Sequence, residues 1–173
     1  MNTRATIRFV EEADAEALFE AARSSRAELA PWMPWCHADY CIEESRQWLT
    51  QEVARRVDGS GYAFAILDAA GAYCGGCGLN AIDRANRRAN LGYWVRTSHR
   101  GQGLATEAVR QLSAWAFEHT DLIRLEIVAS IENVASIRVA DKAGAVREGI
   151  ARSRIMLHGR EHDAAVFSIV REP

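Results

Sequence analysis

The chain of 173 residues reads as an α/β protein of the α+β kind. Strand-like and helix-like segments alternate in the order β-α-α-β-β-β-α-β-α-β-β, set by whether apolar residues recur at strand or helical spacing. Three strand-like runs, YAFAIL, YCGGCGLNAI and ANLGYWV, follow one another across Asp68-Ala69-Ala70-Gly71 and Asp83-Arg84-Ala85-Asn86. Such short polar turns predict an antiparallel meander. Between Leu91 and Ala116 a strand passes through a glycine turn directly into a helix.

TIRFV is the first strand, and Asp14 is the expected cap of a helix whose apolar stripe is Ala17, Leu18, Ala21 and Ala22. Leu29-Ala30-Pro31-Trp32-Met33-Pro34-Trp35 is a proline-punctuated apolar loop. Cys41 to Val57 reads as the second helix, with Ile42, Trp48, Leu49 and Val53 as its packing positions. After the meander, Leu104, Ala105, Ala108, Val109, Leu112 and Ala116 recur at helical spacing, with Glu107, Arg110 and Gln111 on the other face. LIRLEIVAS is a strand rich in Leu, Ile and Val. Asn133 then offers an N-cap, Lys142 a last-turn cation and Gly144 a left-handed C′ position, which define a helix of about ten residues. VREGIARSRIML and HDAAVFSIVRE close the chain as a strand pair joined at His158-Gly159-Arg160. With no long linker, repeat or low-complexity stretch, a single domain over 1–173 is expected.

Hydrophobic residues make up 49% and charged ones 25%, the balance of an ordinary globule. A net charge of −2 gives no reason to expect nucleic-acid or membrane partners. TRATIRFV opens as a strand without an apolar leader, and no run reaches the ~20 apolar residues of a membrane span, so cytoplasm is the expected compartment. Cys74 and Cys77 form a C-x-x-C, with Cys36 and Cys41 upstream. Three apart on a strand, Cys74 and Cys77 are expected on opposite faces, as packed thiols and not as a metal or redox pair.

Arg100-Gly101-Gln102-Gly103-Leu104-Ala105 carries the chemistry. A glycine-rich turn entering a helix aims several backbone N–H groups at one spot, with the positive end of the helix dipole behind them. Such a spot binds a phosphate or pyrophosphate. Gly101 and Gly103 let the chain curl around the anion, and Arg100 adds charge. The turn lacks the Gly-Lys-Ser/Thr ending of a P-loop, and it is not G-x-G-x-x-G.

Arg100, Gly103 and Ala105 form R-x-x-G-x-A, which resembles the acetyl-CoA pyrophosphate loop of the GNAT superfamily of N-acetyltransferases. NVASIRVADKAGA, one helix and one strand later, resembles that superfamily's N-x-x-(A/S)-…-K-x-G-F, with Ala145 in place of Phe. The element order agrees over nearly the whole chain. The resemblance implies a mixed, mostly antiparallel sheet with helices on both faces and two splayed strands, LGYWV and LIRLEIVA, holding the cofactor. LAPWMPW, LGYWV and the ending Gly159-Arg160-x-x-Asp163-x-x-x-Phe167 resemble the RimJ/RimL group, which acetylates protein N-terminal amines, notably of ribosomal proteins.

The resemblance implies acetyl transfer from acetyl-CoA to a primary amine by direct attack, with no metal. Gly101, Gly103, Leu104, Ala105 and Thr106 would surround the pyrophosphate beside Arg100, and a backbone N–H near Val95 would meet the acetyl carbonyl. Asn133 would bond the pantetheine arm, and Ser136, on the same helix face, the leaving thiolate. Many relatives place a tyrosine one turn further, where this chain has Ala140. For the base, the candidates are Glu126 on the strand beside the cofactor, Asn90 or Asn80 through water, and His37 or His99. Trp32 and Trp35 either pack over the core or wall the acceptor pocket. RimL-type relatives carry a glutamate on the strand after the Asn133 helix, where Ser153-Arg154-Ile155-Met156 offers no carboxylate. Its absence favours α-amines, whose reference pKa of about 7.7–8.0 leaves them partly neutral. A small-amine acetyltransferase and a non-catalytic acyl-CoA-binding module are the alternatives, and a homodimer stays open.

Overall fold

A computed structural model of the chain describes residues 5–172. Its strands are β1 (Thr6–Phe9), β2 (Tyr62–Leu67), β3 (Tyr73–Asp83), β4 (Arg88–Val95), β5 (Arg124–Ser130), β6 (Val146–Leu157) and β7 (Arg160–Val170). Its helices are α1 (Ala15–Ser24), α2 (Arg26–Leu29), α3 (Ile42–Asp58), α4 (Leu104–His119) and α5 (Val134–Ala143). No helix among the described residues is long and apolar enough to cross a membrane.

The strands form one sheet in the order β1-β2-β3-β4-β5-β7-β6. The expected meander is there, β2 pairing β3 and β3 pairing β4 antiparallel. β4 and β5 run parallel, and their pairing extends only from Arg88↔Arg124 to Asn90↔Glu126. Beyond Asn90 the two strands part, because β5 keeps full register with β7 from Arg124↔Val170 to Ser130↔Ala164 while β4 stays with β3 up to Val95. The splay therefore sits between two ladders that are each complete on their outer side.

Alternation along β2 shows the layering. Phe64 and Ile66 face a core shared with Leu104, Ala108, Val109 and Leu112 of α4 and Leu125 and Phe167 of the sheet. Ala63 and Ala65 face the opposite layer, with Leu18 and Ala21 of α1 and Leu49 of α3. Helices thus cover both faces. Side chains as fully enclosed as Phe167 and Leu125 stabilise the fold by about 1.5–3 kcal/mol each.

Both ends of α5 follow their local signals. The Asn133 side chain accepts from Ser136 N at 3.1 Å, and Gly144 takes the left-handed conformation at φ 91. The start of α1 differs from expectation. Asp14 makes no cap bond to α1, because Arg8 donates to both its oxygens, at 2.6 and 2.8 Å, and Glu11 N donates to Oδ2 at 2.9 Å. Ala15, not Ala17, completes the buried stripe. In α3 the buried face is Ser45, Leu49 and Glu52, and Trp48 turns outward. The closing hairpin turns on two residues, His158 (φ 49) and Gly159 (φ 74), so β7 already starts at Arg160.

Cys74 and Cys77 are not on opposite faces. Tyr73 pairs Leu67 and Gly75 pairs Ile66, which leaves Cys74 as an extra residue in a bulge. The bulge resets the alternation, and both thiols pack into the α4-side core. Neighbouring glycines hold the strands close. A Cβ on Gly75 would stand 2.1 Å from Trp94 O, and one on Gly76 would stand 2.9 Å from Trp94 Nε1. All four cysteines are free.

Candidate active site

The glycine turn leaves β4 through a 3-10 turn at Thr97–His99 and enters α4 at Leu104. Gly101 and Gly103 sit at φ 75 and φ 82, and a Cβ on either would meet nothing within 4 Å. Glycine is therefore required here by backbone conformation, not by crowding. The helical ladder begins with Glu107 N donating to Gly103 O at 3.0 Å. The N–H groups of Leu104, Ala105 and Thr106 precede that ladder and point out of the helix end.

They open onto a cleft of about 630 Å³ at the splay. Its lining includes Val95, Arg100, Gly101, Gly103, Leu104, Ala105, Thr106, Asn133 and Ser136, residues that the sequence had suggested for the donor side. At its inner end Arg96 N donates to Cys74 O at 2.8 Å across the β3 ladder. N–H directions alternate along an extended strand, so the Val95 N–H points the other way, into the space β5 has left.

A second cleft of about 510 Å³ is lined by Trp35, Tyr40, Trp48, Tyr62, Asn80 and the carboxylates Glu44 and Glu52. Met33, Tyr93 and Trp94 line both clefts, so the two meet at β4. Trp32 and Trp35 separate here. Trp32 lines the first cleft and Trp35 the second, where Trp35 contacts Tyr40 and Trp94 at centroid distances of 5.5 and 5.7 Å.

Sequence reading missed Tyr93. Its hydroxyl donates to the Ser136 carbonyl at 2.8 Å, and Ser136 Oγ donates to Tyr93 Oη at 3.1 Å. Burial pushes the Tyr93 phenol up to about 12, against the lowering effect of the Ser136 bond. The only sequence signal was a phenol inside an otherwise apolar strand, a group that needs a partner when buried.

The base candidates scatter. Glu126 lines neither cleft, since Arg124 Nε holds it at 2.9 Å and Arg88 at 3.4 Å. Asn90 donates to Asn80 at 3.0 Å, and of the two only Asn80 reaches the second cleft. His37 bonds Glu44 at 3.0 Å on the exposed start of α3. His99 borders the first cleft, 3.6 Å from Asp68, and its ring, Asp68 and the Cys74 thiol lie within 4.8 Å of one another. Both carboxylates of the second cleft are hydrogen-bonded: Glu44 accepts from Cys41 N at 2.9 Å and bonds His37 at 3.0 Å, and Arg55 holds Glu52 at 2.7 Å.

Comparison with known proteins agrees with this fold. Residues 4–146 match the family described as the acetyltransferase (GNAT) domain. The chain is 31% identical over 172 residues to the "Putative ribosomal N-acetyltransferase YdaF" of Bacillus subtilis (strain 168), covering 99% of this chain and 93% of that one. Among solved structures, the ribosomal-protein-S5-alanine acetyltransferase from Vibrio fischeri superposes with a TM-score of 0.87 at 25% identity, covering 96% and 92% of the two chains. RimJ of Mycobacterium smegmatis in complex with CoA-disulfide gives a TM-score of 0.87 at 25% identity, covering 96% and 81%.

Proposed function

The chain belongs to the GNAT acetyltransferase family, and from that premise we propose that it moves an acetyl group from acetyl-CoA to the α-amine of a protein or peptide N-terminus. Its two clefts would act as donor and acceptor compartments of one domain spanning 1–173. The observation that carries this reading is their meeting at Tyr93 and Trp94, with a preformed anion site at the far end of the first.

The N–H groups of Leu104, Ala105 and Thr106, with Arg100 beside them, would hold the pyrophosphate. The pantetheine arm would run past Asn133 along the splay and bring the thioester to Val95, whose N–H would donate to the acetyl oxygen. The amine, entering through the second cleft, attacks the carbonyl carbon. The C–N bond forms, the C–S bond breaks, and the electron pair leaves on sulfur. Ser136 lines the first cleft, and its hydroxyl would donate a hydrogen bond to that thiolate.

The two carboxylates of the acceptor lining are engaged, Glu44 by Cys41 N and His37 and Glu52 by Arg55, which makes them poor takers of the ammonium proton. That suits an α-amine, with a reference pKa of about 7.7–8.0, better than a lysine or polyamine nitrogen near 10. The names of YdaF and of the Vibrio fischeri enzyme point to ribosomal proteins as acceptors, which also implies action in the cytoplasm. A homodimer belongs to the same reading. β6 ends the sheet and exposes Val146, Ile150 and Met156, apolar side chains that a second copy would cover; sedimentation velocity tests it.

The deciding experiment is free-thiol release from acetyl-CoA with a panel of peptides and polyamines. Release with peptides bearing a free N-terminus, lost when that terminus is blocked, is the expected result. Release with polyamines alone would replace the acceptor assignment. Cofactor binding without release on any amine would leave only an acyl-CoA-binding module.

A further inference from the structure

We propose that Tyr93 is the positioning residue of the thiolate site, aiming the Ser136 hydroxyl from across the sheet; the inference rests on the role given to Ser136 above. The two residues are 43 apart in sequence and lie on different layers, β4 and α5. Two hydrogen bonds join them, Tyr93 Oη to the Ser136 carbonyl and Ser136 Oγ to Tyr93 Oη. They fix α5 against β4 where the strands splay, and they fix the rotamer of a serine that otherwise has three staggered choices. Ser136 lines the donor cleft and Tyr93 lines both clefts, so the pair stands where they meet.

In the resting arrangement the Ser136 proton points at Tyr93. When sulfur gains charge, that proton turns to the sulfur. The Tyr93 proton then moves from the Ser136 carbonyl to Ser136 Oγ, over the same 3.1 Å contact. The carbonyl keeps a partner, because residue 140 of α5 lies one turn on. Two hydroxyls in series thus face the thiolate, each polarising the next. Burial holds the phenol up at about 12, well above a thiol near 8.5, so the proton stays on Tyr93. The attacking amine gives up its proton to solvent, the thiolate leaves hydrogen-bonded and takes a proton from solvent in turn, and atoms balance without a tyrosinate. Ala140, where many relatives carry a tyrosine, is fully buried and offers no hydroxyl. The phenol comes instead from the sheet.

Tyr93→Phe keeps the ring and removes only the hydroxyl. It should lower kcat about five- to tenfold, the worth of one hydrogen bond, with the acetyl-CoA KM changed less than twofold. In a Ser136→Ala background the same change should have no further effect on kcat, since the hydroxyl it aims is gone, while loss of the remaining bond to the residue 136 carbonyl shows in the melting temperature. Circular dichroism and the melting temperature establish that each variant is folded. Full, independent losses from the two substitutions would overturn the inference, as would a Tyr93→Phe defect confined to KM. A Ser136→Ala defect with an unaffected Tyr93→Phe would overturn the inference alone. An unaffected Ser136→Ala enzyme would overturn the thiolate assignment with it. Should Tyr93→Phe not fold, Tyr93→Met compared in the same two backgrounds gives the same test.

Discussion

Gly103→Ala isolates what the donor turn contributes. Gly103 sits at φ 82 on the exposed loop before α4, and a Cβ there would touch nothing within 4 Å. Alanine therefore brings no clash, only the left-handed backbone that an L-residue holds at about 1–2 kcal/mol. Without ligand the exposed turn can relax out of that conformation, and the melting temperature should move by no more than about 2 °C. To bind the pyrophosphate, the turn must return so that the N–H groups of Leu104, Ala105 and Thr106 converge. The 1–2 kcal/mol then appears in affinity, a loss of about five- to thirtyfold in Kd for CoA by calorimetry. Gly103→Asn is the control. Asparagine adopts the left-handed region far more readily, so it should stay within about threefold of the parent. Unchanged affinity in the alanine variant would refute the preorganised turn. Equal losses for Ala and Asn would show that close approach of the cofactor, and not backbone conformation, is what demands glycine.

Three further outcomes are expected. Gly75→Ala should lower the melting temperature strongly, because its Cβ would lie 2.1 Å from a β4 carbonyl, whereas Gly92→Ala, with nothing within 4 Å, should stay close to the parent; overpacking of about 3 kcal/mol corresponds to roughly 6–12 °C in a chain of this size. Trp35→Ala should raise the KM of the amine acceptor several-fold and leave that of acetyl-CoA unchanged, since Trp35 lines only the second cleft; an acetyl-CoA effect would mean that the clefts are not separate compartments. Glu148 is held down at about 2, first by hydrogen bonds from Arg124 and then by Ser168, and thereby joins β6 to β5 and β7. Its folded pKa lies below the ordinary value of about 4.3, so its contribution is complete above that pH and fades as pH falls toward 2. Glu148→Gln should therefore flatten the acid side of a urea-midpoint profile, modestly because the pair is partly exposed, and a profile as steep as the parent's would count against it.

What could be read from the sequence was local. Asn133 and Gly144 bound α5 because capping groups act within a few residues of the backbone they satisfy. The Gly101–Gly103 turn and the strand-to-helix passage were legible for the same reason, and the turn and the start of α5 line one cleft. The apolar period of α4 predicted most of its buried side: Leu104, Ala108, Val109, Leu112 and Ala116 are buried as expected, whereas Ala105 is half-buried and Ser113 joins the buried face. In α3 that signal held fully only at Leu49. Its inward face carries Ser45 and Glu52, which Tyr40 and Arg55 satisfy, while Trp48 is turned to a cleft. Periodicity records hydrophobicity, and a paired polar side chain can be buried as readily as a leucine.

Only the tertiary structure decided the rest. One extra residue in β3 put Cys74 and Cys77 on the same face, because a bulge resets an alternation that no local sequence rule marks. Two arginines, one on each of the neighbouring strands β4 and β5, claimed Glu126, since a carboxylate's partners depend on which strands are paired. Trp32 and Trp35, three residues apart, went to different clefts. The sequence by itself determined most of the chain's elements and its glycine turn, whose physics is that of neighbouring dihedrals and backbone N–H groups. The splay of β4 from β5, the meeting of the clefts and the Tyr93–Ser136 pair arise from strands and helices far apart in the chain, and exist only once the sheet has set its register.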